Sequence, residues 1–269
     1  MTRFESATEV RALPEGGRYA ADLDPGYLIG TAMNGGYLMA VMQRAALAEA
    51  SHPHPVSSSY HFLRPAGAGP AEVEAVPVKS GRTVDTVRVT LLQEGRPLVT
   101  GHVAAAELEP GGEPAHEAAP PDLPPPDRCR AYDPRRGKAG ADGFPGRVDQ
   151  FYTEPTWRRL RGEDPEPVPE LGGHLRLSER DGGAPADPAL FLPMAVDALP
   201  PVVTVFDSWR WAPTVELTWH MRALPAPGPL AFRATCLAAG GGWFDENVEL
   251  WDVKGRLVAQ SRQMARNGR

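Results

Sequence analysis

The sequence has little cysteine and no long apolar run. Cys129 and Cys236 are the two cysteines among 269 residues, too few for the disulfide framework of a small secreted protein. No stretch approaches the ~20 consecutive apolar residues of a membrane-spanning helix. The N-terminal MTRFESATEV also has no apolar segment of the kind found in a secretory signal. We therefore expect a cytoplasmic protein that has no membrane partner.

The chain also has no excess of positive charge. Lys and Arg total 28 against 34 for Asp and Glu, which gives a formal net charge of −6 and argues against a nucleic-acid partner. The sequence contains no GxSxG elbow, Walker loop or dinucleotide fingerprint. A covalent serine hydrolase and a hydride-transfer enzyme are therefore disfavoured. The seven histidines lack metal-ligand spacing, so we expect no metal and no cofactor.

Proline, in contrast, is abundant and unevenly distributed. The chain has 30 prolines, roughly double the usual share of 5 %. Residues 107–128, ELEPGGEPAHEAAPPDLPPPDR, are not expected to form regular structure, because stacked prolines remove backbone donors and fix φ. We predict a first domain at 1–110, a linker with a partly packed segment at 111–175, and a second domain at 176–269.

The two predicted domains carry the same construction. Residues 56–65 (VSSSYHFLRP) and 213–222 (PTVELTWHMR) both alternate polar and apolar side chains, and both are followed by strand-forming segments that turn at a glycine. The predicted strands are 56–64, 71–79, 83–93, 97–107, 213–222, 229–239, 243–253 and 256–266. Duplicated halves usually pack against each other, so a site can form between them.

Each set of strands follows a segment that is predicted to be helical. Residues 34–50 are apolar on nearly all sides, which favours a buried helix. Residues 187–203 hold the equivalent place, with Asp187 as a plausible N-cap. Pro193 should shorten or kink this second helix. An antiparallel sheet wrapped around a central helix is therefore expected in each half.

This arrangement, present twice in one chain, resembles the double hotdog, an α+β fold. Within that fold the chain resembles the acyl-CoA thioesterase II family. The first half carries YHFLRP followed by VEAVPVKSGRTVDTVRVTLLQEG, and the second carries VELTWHMR and WDVKGRLVAQSRQMAR. The resemblance covers roughly residues 20–107 and 185–266. It implies an enzyme that hydrolyses acyl-CoA, or a related acyl thioester, with an activated water molecule.

The resemblance also implies a catalytic carboxylate and a catalytic amide in the second half. Glu216 stands where the family has an aspartate, and we assign it as the general base. Gln263 matches the family's glutamine and would orient the same water. The third group of the family, a threonine, is missing or supplied by Thr235. For both Glu216 and Gln263 the alternative is a polar side chain on an outer strand face.

The start of the first helix is the best candidate for stabilising the carbonyl oxygen. Asn34 either caps the helix or contacts the substrate carbonyl. Gly35 and Gly36 would let a thioester approach closely, and the backbone N–H groups of Gly36 and Tyr37 would serve as donors. The equivalent place in the second half contains Pro193, which has no N–H. We therefore expect one working site per chain.

Arg64 and Arg82 are candidates for binding CoA phosphates, with surface charge as the alternative for each. Two other functions stay open: a non-catalytic acyl-thioester binding protein, and an enoyl-thioester hydratase or dehydratase on the same fold. A hydratase would need an Asp/His pair near the helix start, which the first half does not display. Open sheet edges also favour a homodimer or a larger homo-oligomer.

Overall fold

One long antiparallel sheet runs through both halves of the chain. The computed structural model describes residues 1–136, 142–206 and 211–267. The α-helices are α1 (Arg3–Ala7), α2 (Gly35–Glu49), α3 (Glu154–Leu160) and α4 (Leu192–Ala195). The strands of the first half are β1 (Val10–Ala12), β2 (Arg18–Leu23), β3 (Leu28–Ile29), β4 (Ala32–Met33), β5 (His54–Phe62), β6 (Gly69–Lys79), β7 (Asp85–Gln93) and β8 (Arg96–Ala106). Those of the second half are β9 (Arg130–Ala131), β10 (Val148–Tyr152), β11 (Glu170–Leu177), β12 (Thr214–Met221), β13 (Leu230–Thr235), β14 (Ala239–Gly240), β15 (Trp243–Trp251) and β16 (Leu257–Arg266).

The two halves join edge to edge in the middle of this sheet. The strand order is β1-β2-β6-β7-β8-β5-β12-β16-β15-β13-β11-β10-β9, with β14 paired to β15, and β3 and β4 form a separate small sheet. At the junction β5 pairs with β12, with Leu217 opposite Tyr60 and Trp219 opposite Ser58. Leu217, Trp219 and Tyr60 are fully buried. The junction is therefore part of the hydrophobic core.

Helix α2 forms the core of the first half. Asn34 caps it by accepting a hydrogen bond from the Tyr37 backbone N–H at 2.9 Å. The helix is buried from Gly36 through Gln43 and again at Ala45 and Ala46, as its nearly uniform apolar character predicted. The predicted helix and the four predicted strands of this half are confirmed, and so is the double hotdog architecture.

The helix of the second half is broken, as the proline predicted. Asp187 accepts a hydrogen bond from the Ala189 N–H at 2.9 Å and caps a 3-10 turn, Pro188–Phe191. The four-residue α4 follows, with Pro193 in its first turn. Because α4 has only four residues, it ends close to the start of α2. A Cβ atom added at Gly36 would lie 2.8 Å from Cα of Met194.

The segment 111–175 contributes more regular structure than the sequence indicated. No strand or α-helix lies in 107–129, as expected from its prolines. Strands β9, β10 and β11, however, extend the sheet of the second half, and α3 follows β10. These elements were not predicted because β10 and β11 are flanked by Pro- and Gly-rich stretches. The domain limits at 110 and 175 stay a prediction.

Two further expectations concern the surroundings of the protein. None of the helices in the described ranges has the length and apolar character needed to span a bilayer. The short strands β1 and β9 end the sheet, and association through such edges stays a prediction.

We predict that Gly36→Ala destabilises the protein. Alanine normally favours a helix over glycine by about 1 kcal/mol, but here its methyl group would meet the Pro193 carbonyl oxygen at 2.9 Å and Met194. Overpacking of this kind costs about 1–3 kcal/mol, so the melting temperature should fall. Gly67→Ala is the control, because its Cβ meets nothing within 4 Å. An unchanged or higher melting temperature for G36A would contradict this packing argument.

Candidate active site

A cavity of about 870 Å³ lies between the two halves. Asn34 and Gly35 line it from the first half, and Asp197, Glu246 and Gln263 line it from the second. Aromatic side chains from the segment between the halves complete the apolar wall: Tyr132, Phe144, Tyr152 and Trp157. Polar groups that converge in a mostly apolar cavity are the usual mark of a binding or catalytic site.

Asp197 follows α4 and faces the start of α2. Its Oδ2 accepts hydrogen bonds from the Gly36 backbone N–H at 2.7 Å and from Asn34 Nδ2 at 3.2 Å. Burial raises the pKa of Asp197 to about 7, and the hydrogen bonds from Gly36 and Asn34 oppose this rise. No hydrogen bond from the described residues reaches its Oδ1. A carboxylate whose pKa lies near neutrality is suited to act as a general base.

Three polar side chains of the second half form a hydrogen-bonded chain beside Asp197. Thr214 Oγ1 donates to Gln263 Oε1 at 2.7 Å, and Gln263 Nε2 donates to Glu246 Oε1 at 2.9 Å. Glu246 Oε2 accepts from the Val202 backbone N–H at 2.6 Å. Burial raises the pKa of Glu246 to about 8, with a further rise from the negative charge of Asp197.

The segment that carries Asp197 is fixed on both sides. Ser261 Oγ, on β16, donates to the Val196 carbonyl at 3.4 Å. Gln150 Nε2, on β10, donates to the Ala198 carbonyl at 2.7 Å. These bonds satisfy backbone oxygens that α4 is too short to use, and they hold the aspartate in place relative to two strands of the second half, β10 and β16.

The structure brings some of the predicted site residues together. Asn34, Gly35 and Gln263 all line the cavity. Asn34 is confirmed as the helix cap, and its amide also donates to the Asp197 backbone oxygen at 3.1 Å. Gly35 N–H, at the first helical position, has no hydrogen-bond partner among the described residues. It is the donor of the α2 start that remains open to a ligand.

The expectation that Glu216 faces the helix start is wrong. Glu216 pairs with the partly exposed Met264 on the outer sheet face, and Thr218 Oγ1 donates to its Oε1 at 2.6 Å. Strand alternation explains this, because the next residue, Leu217, points into the core. A register shift between Thr214 and Glu216 interrupts the alternation and lets Thr214 reach Gln263 instead.

The expectation that the backbone N–H groups of Gly36 and Tyr37 are free to bind a substrate is also wrong. The Gly36 N–H is occupied by Asp197, and the Tyr37 N–H is occupied by Asn34. The Tyr37 ring stacks on Tyr27 with centroids 4.3 Å apart, and neither Gly36 nor Tyr37 lines the cavity. The absence of a side chain at Gly36 therefore lets α4 pack closely against α2. The sequence had predicted that a thioester would approach the backbone at this position.

The two predicted phosphate-binding arginines lie in different places. Arg64 is exposed, lines the cavity, and donates from Nη1 to the Pro97 carbonyl at 2.9 Å. Arg82 lies in the exposed turn between β6 and β7 and does not line the cavity. Of the two predicted arginines, Arg64 therefore lies at the cavity and Arg82 lies away from it.

Sequence reasoning missed Asp197, Glu246 and Thr214, although two of them left a signal. Asp197 is the lone charged residue of the apolar run 188–206, and a carboxylate in such a run is a candidate for a perturbed pKa. Alternation along β15 places Glu246 on the same face as Phe244 and Val248, which are buried. Thr214 gave no such signal, because its orientation depends on the bulge.

Comparison with known proteins identifies the family of the chain. A family model for the acyl-CoA thioesterase N-terminal domain matches residues 23–106, and one for the C-terminal domain matches residues 125–266. The chain belongs to the acyl-CoA thioesterase family. The second match includes the residues of β9, β10 and β11 and therefore begins within the segment 111–175.

Individual relatives match this thioesterase-family chain over nearly its whole length. An uncharacterised protein of Mycobacterium tuberculosis is 30 % identical, covering 92 % of this chain and 90 % of its own. A candidate thioesterase II of Thermobifida fusca is 60 % identical, with full coverage of both chains and a TM-score of 0.96. The acyl-CoA thioesterase II TesB2 of Mycobacterium marinum is 18 % identical, covers 98 % and 97 %, and shares the fold with a TM-score of 0.71.

We predict that Asp197→Asn removes a loss of stability that wild type undergoes as the pH rises from acid to about 7. Because the pKa of Asp197 is raised on folding, its contribution to stability is complete in acid and is lost as the pH rises toward about 7. The variant has no such loss. The difference in melting temperature, D197N minus wild type, should therefore increase with pH and reach about 5 °C above pH 8.

Thermal unfolding followed by circular dichroism between pH 4.5 and 9 measures this difference. Asp22→Asn, at an exposed position on β2, is the control and should parallel wild type. Parallel curves for D197N and wild type would show that Asp197 has no raised pKa.

Proposed function

We propose that this protein hydrolyses acyl-CoA or a related acyl thioester, with Asp197 as general base. The observation that carries the proposal is the carboxylate of Asp197 at the start of α2, held through Oδ2 by Gly36 and Asn34 and lining the same cavity as Gln263. The family assignment supports thioester hydrolysis in general. The choice of Asp197 rests on its position and its raised pKa.

In the proposed reaction, a water molecule donates hydrogen bonds to Asp197 Oδ1 and to the free lone pair of Gln263 Oε1. Asp197 removes one proton as the water oxygen attacks the thioester carbonyl carbon. Thr214 fixes the Gln263 oxygen from the other side. Both oxygens then accept from the water and leave its lone pair directed at the substrate.

The negative charge that develops on the carbonyl oxygen is placed at the Gly35 N–H. This donor belongs to the first turn of α2, where the partial positive charge of the helix terminus adds to the hydrogen bond. When the tetrahedral intermediate collapses, the carbon–sulfur bond breaks. The proton held by Asp197 passes to the departing sulfur, so that one water and one thioester give one carboxylic acid and one thiol.

Two features support acyl-CoA as the substrate. The apolar wall, which includes Phe62, Phe144 and Trp157, suits the acyl group. Arg64 at the exposed end of the cavity suits the phosphates of the nucleotide, since a guanidinium binds phosphate in a bidentate manner. The acyl group would therefore lie inward and the nucleotide outward.

The two other candidate functions lose support. The non-catalytic binder was motivated by the absence of the family's catalytic groups at the matching positions, and Asp197 beside Gln263 in the cavity weakens that motive. A hydratase or dehydratase would need a histidine beside the carboxylate. The described residues that line the cavity include none.

We predict that Asp197→Asn lowers kcat for thioester hydrolysis by about 10²-fold or more, since general-base catalysis contributes on that order. KM should change little, because the amide is close in size to the carboxylate. Release of free thiol from a panel of acyl-CoAs measures both constants.

Glu216→Gln is the matched control. Glu216 lies on the outer face of β12, so this variant should keep the wild-type kcat. Loss of activity in E216Q with retention in D197N would reverse our assignment. No thiol release by wild type with any acyl-CoA of the panel would overturn the proposed function.

A further inference from the structure

Glu246 is a second carboxylate at the site, and the proposed reaction does not use it. Its side chain lines the cavity, yet the residue is only 2 % exposed. One backbone N–H, from Val202, points at Oε2, and one amide N–H, from Gln263, points at Oε1. Burial of an ionisable group is costly unless its hydrogen bonds are satisfied. The free-energy cost of burying Glu246 at a candidate active site therefore points to a functional role for its carboxyl group.

The two ends of the Gln263 side chain have different partners. Its Oε1 accepts from Thr214 and its Nε2 donates to Glu246. An ionised carboxylate can only accept hydrogen bonds. Ionised Glu246 therefore selects the orientation in which the amide nitrogen faces it and the amide oxygen lies on the side of Thr214.

A protonated Glu246 would favour the opposite orientation. Its hydroxyl group needs an acceptor, and the Val202 N–H is a donor that must keep the other oxygen. Turning the Gln263 amide by 180° supplies that acceptor and moves the NH₂ group to the side of Thr214, whose hydroxyl can accept as well as donate. An N–H group on that side would bind the lone pair of the water, which the attack on the thioester requires.

We propose that Glu246 is a positioning residue whose ionisation sets which end of the Gln263 amide faces the attacking water, an inference that rests on the proposed function. Ionised Glu246 gives the productive orientation. Protonated Glu246 gives a site in which Asp197 still has its hydrogen bonds but the water is held by the wrong end of the amide.

The surroundings of Glu246 favour protonation at neutral pH. Burial raises its pKa to about 8, and the charges of Asp197, from the segment after α4, and of Asp245, on its own strand, act in the same direction. The Cys236 thiol, just after β13, also interacts electrostatically with Glu246. The coupled groups among the described residues include no cation. The change between the two states therefore falls in a pH range in which the enzyme can be assayed.

Glu246→Gln provides the test, because it imitates the protonated carboxyl group. Its amide oxygen can accept from Val202, and its NH₂ can donate to a reoriented Gln263. Wild-type and variant kcat should be similar at pH 6, where both hold the unproductive orientation. The ratio of wild-type kcat to E246Q kcat should rise with pH and reach about 10²-fold above pH 8. Misplacement of a reacting group produces an effect of this size. KM should change little.

A purely structural role for Glu246 would give a ratio that does not change with pH, and this result would overturn the inference. Glu249→Gln is the matched control. Glu249 lies on the same strand and accepts from Arg233 Nε at 2.9 Å on the outer face, so its ratio to wild type should stay near 1. The assay requires that wild type hydrolyses the acyl-CoA. Absence of wild-type turnover would therefore refute the proposed function, whereas a constant ratio with an active wild type refutes only the role of Glu246.

The double variant E246Q/Q263E gives an independent test of the role of Glu246. It also keeps that role testable if E246Q does not fold. The amide introduced at position 246 would accept from Val202 and donate to the carboxylate introduced at position 263, which in turn would accept from Thr214. Every hydrogen bond of the chain is kept, and oxygen atoms alone face the water. We expect the double variant to be at least 10-fold more active than Q263E at pH 8, because the single variant places two carboxylates against each other. Activity no higher than that of Q263E would contradict the inference.

Discussion

The hydrogen bond from the Gly36 N–H to Asp197 is the contact on which the site depends. It joins the first turn of the helix in one half to the second residue after the broken helix in the other. A side chain larger than hydrogen at Gly36 would separate the two elements. The broken second helix is equally necessary, because a full-length one would carry the chain past this point. The fold thus uses the difference between its two repeats to place a carboxylate where the first helix offers donors.

The sequence was sufficient to predict the architecture, for identifiable reasons. The helix at 34–50 was predicted from an apolar run with a capping asparagine, and the four strands after it from clear alternation and a Gly turn. Pro193 correctly indicated a shortened helix. These signals are local, and each arises within a few residues of the element that it specifies.

The candidate site was harder to predict, because its geometry is not local. Gln263 and Asn34 were predicted, but the general base was assigned to Glu216, because Glu216 stands where the resemblance places the family's aspartate, and Asp197 was missed. A one-residue register shift at Val215 then decides that Thr214 faces the cavity and Glu216 does not. Neither the shift nor the occupied N–H of Gly36 can be read from residue types, since both depend on which segments meet in three dimensions.

Part of the apolar wall of the cavity comes from outside the two repeats. The polar groups of the proposed reaction come from the two repeats, whereas Tyr132, Phe144 and Trp157 come from the segment 111–175 between them. Changes in the length or composition of this segment can reshape the space for the acyl group while the helix starts and paired strands stay fixed. Selectivity and chemistry can therefore diverge separately among proteins built on this plan.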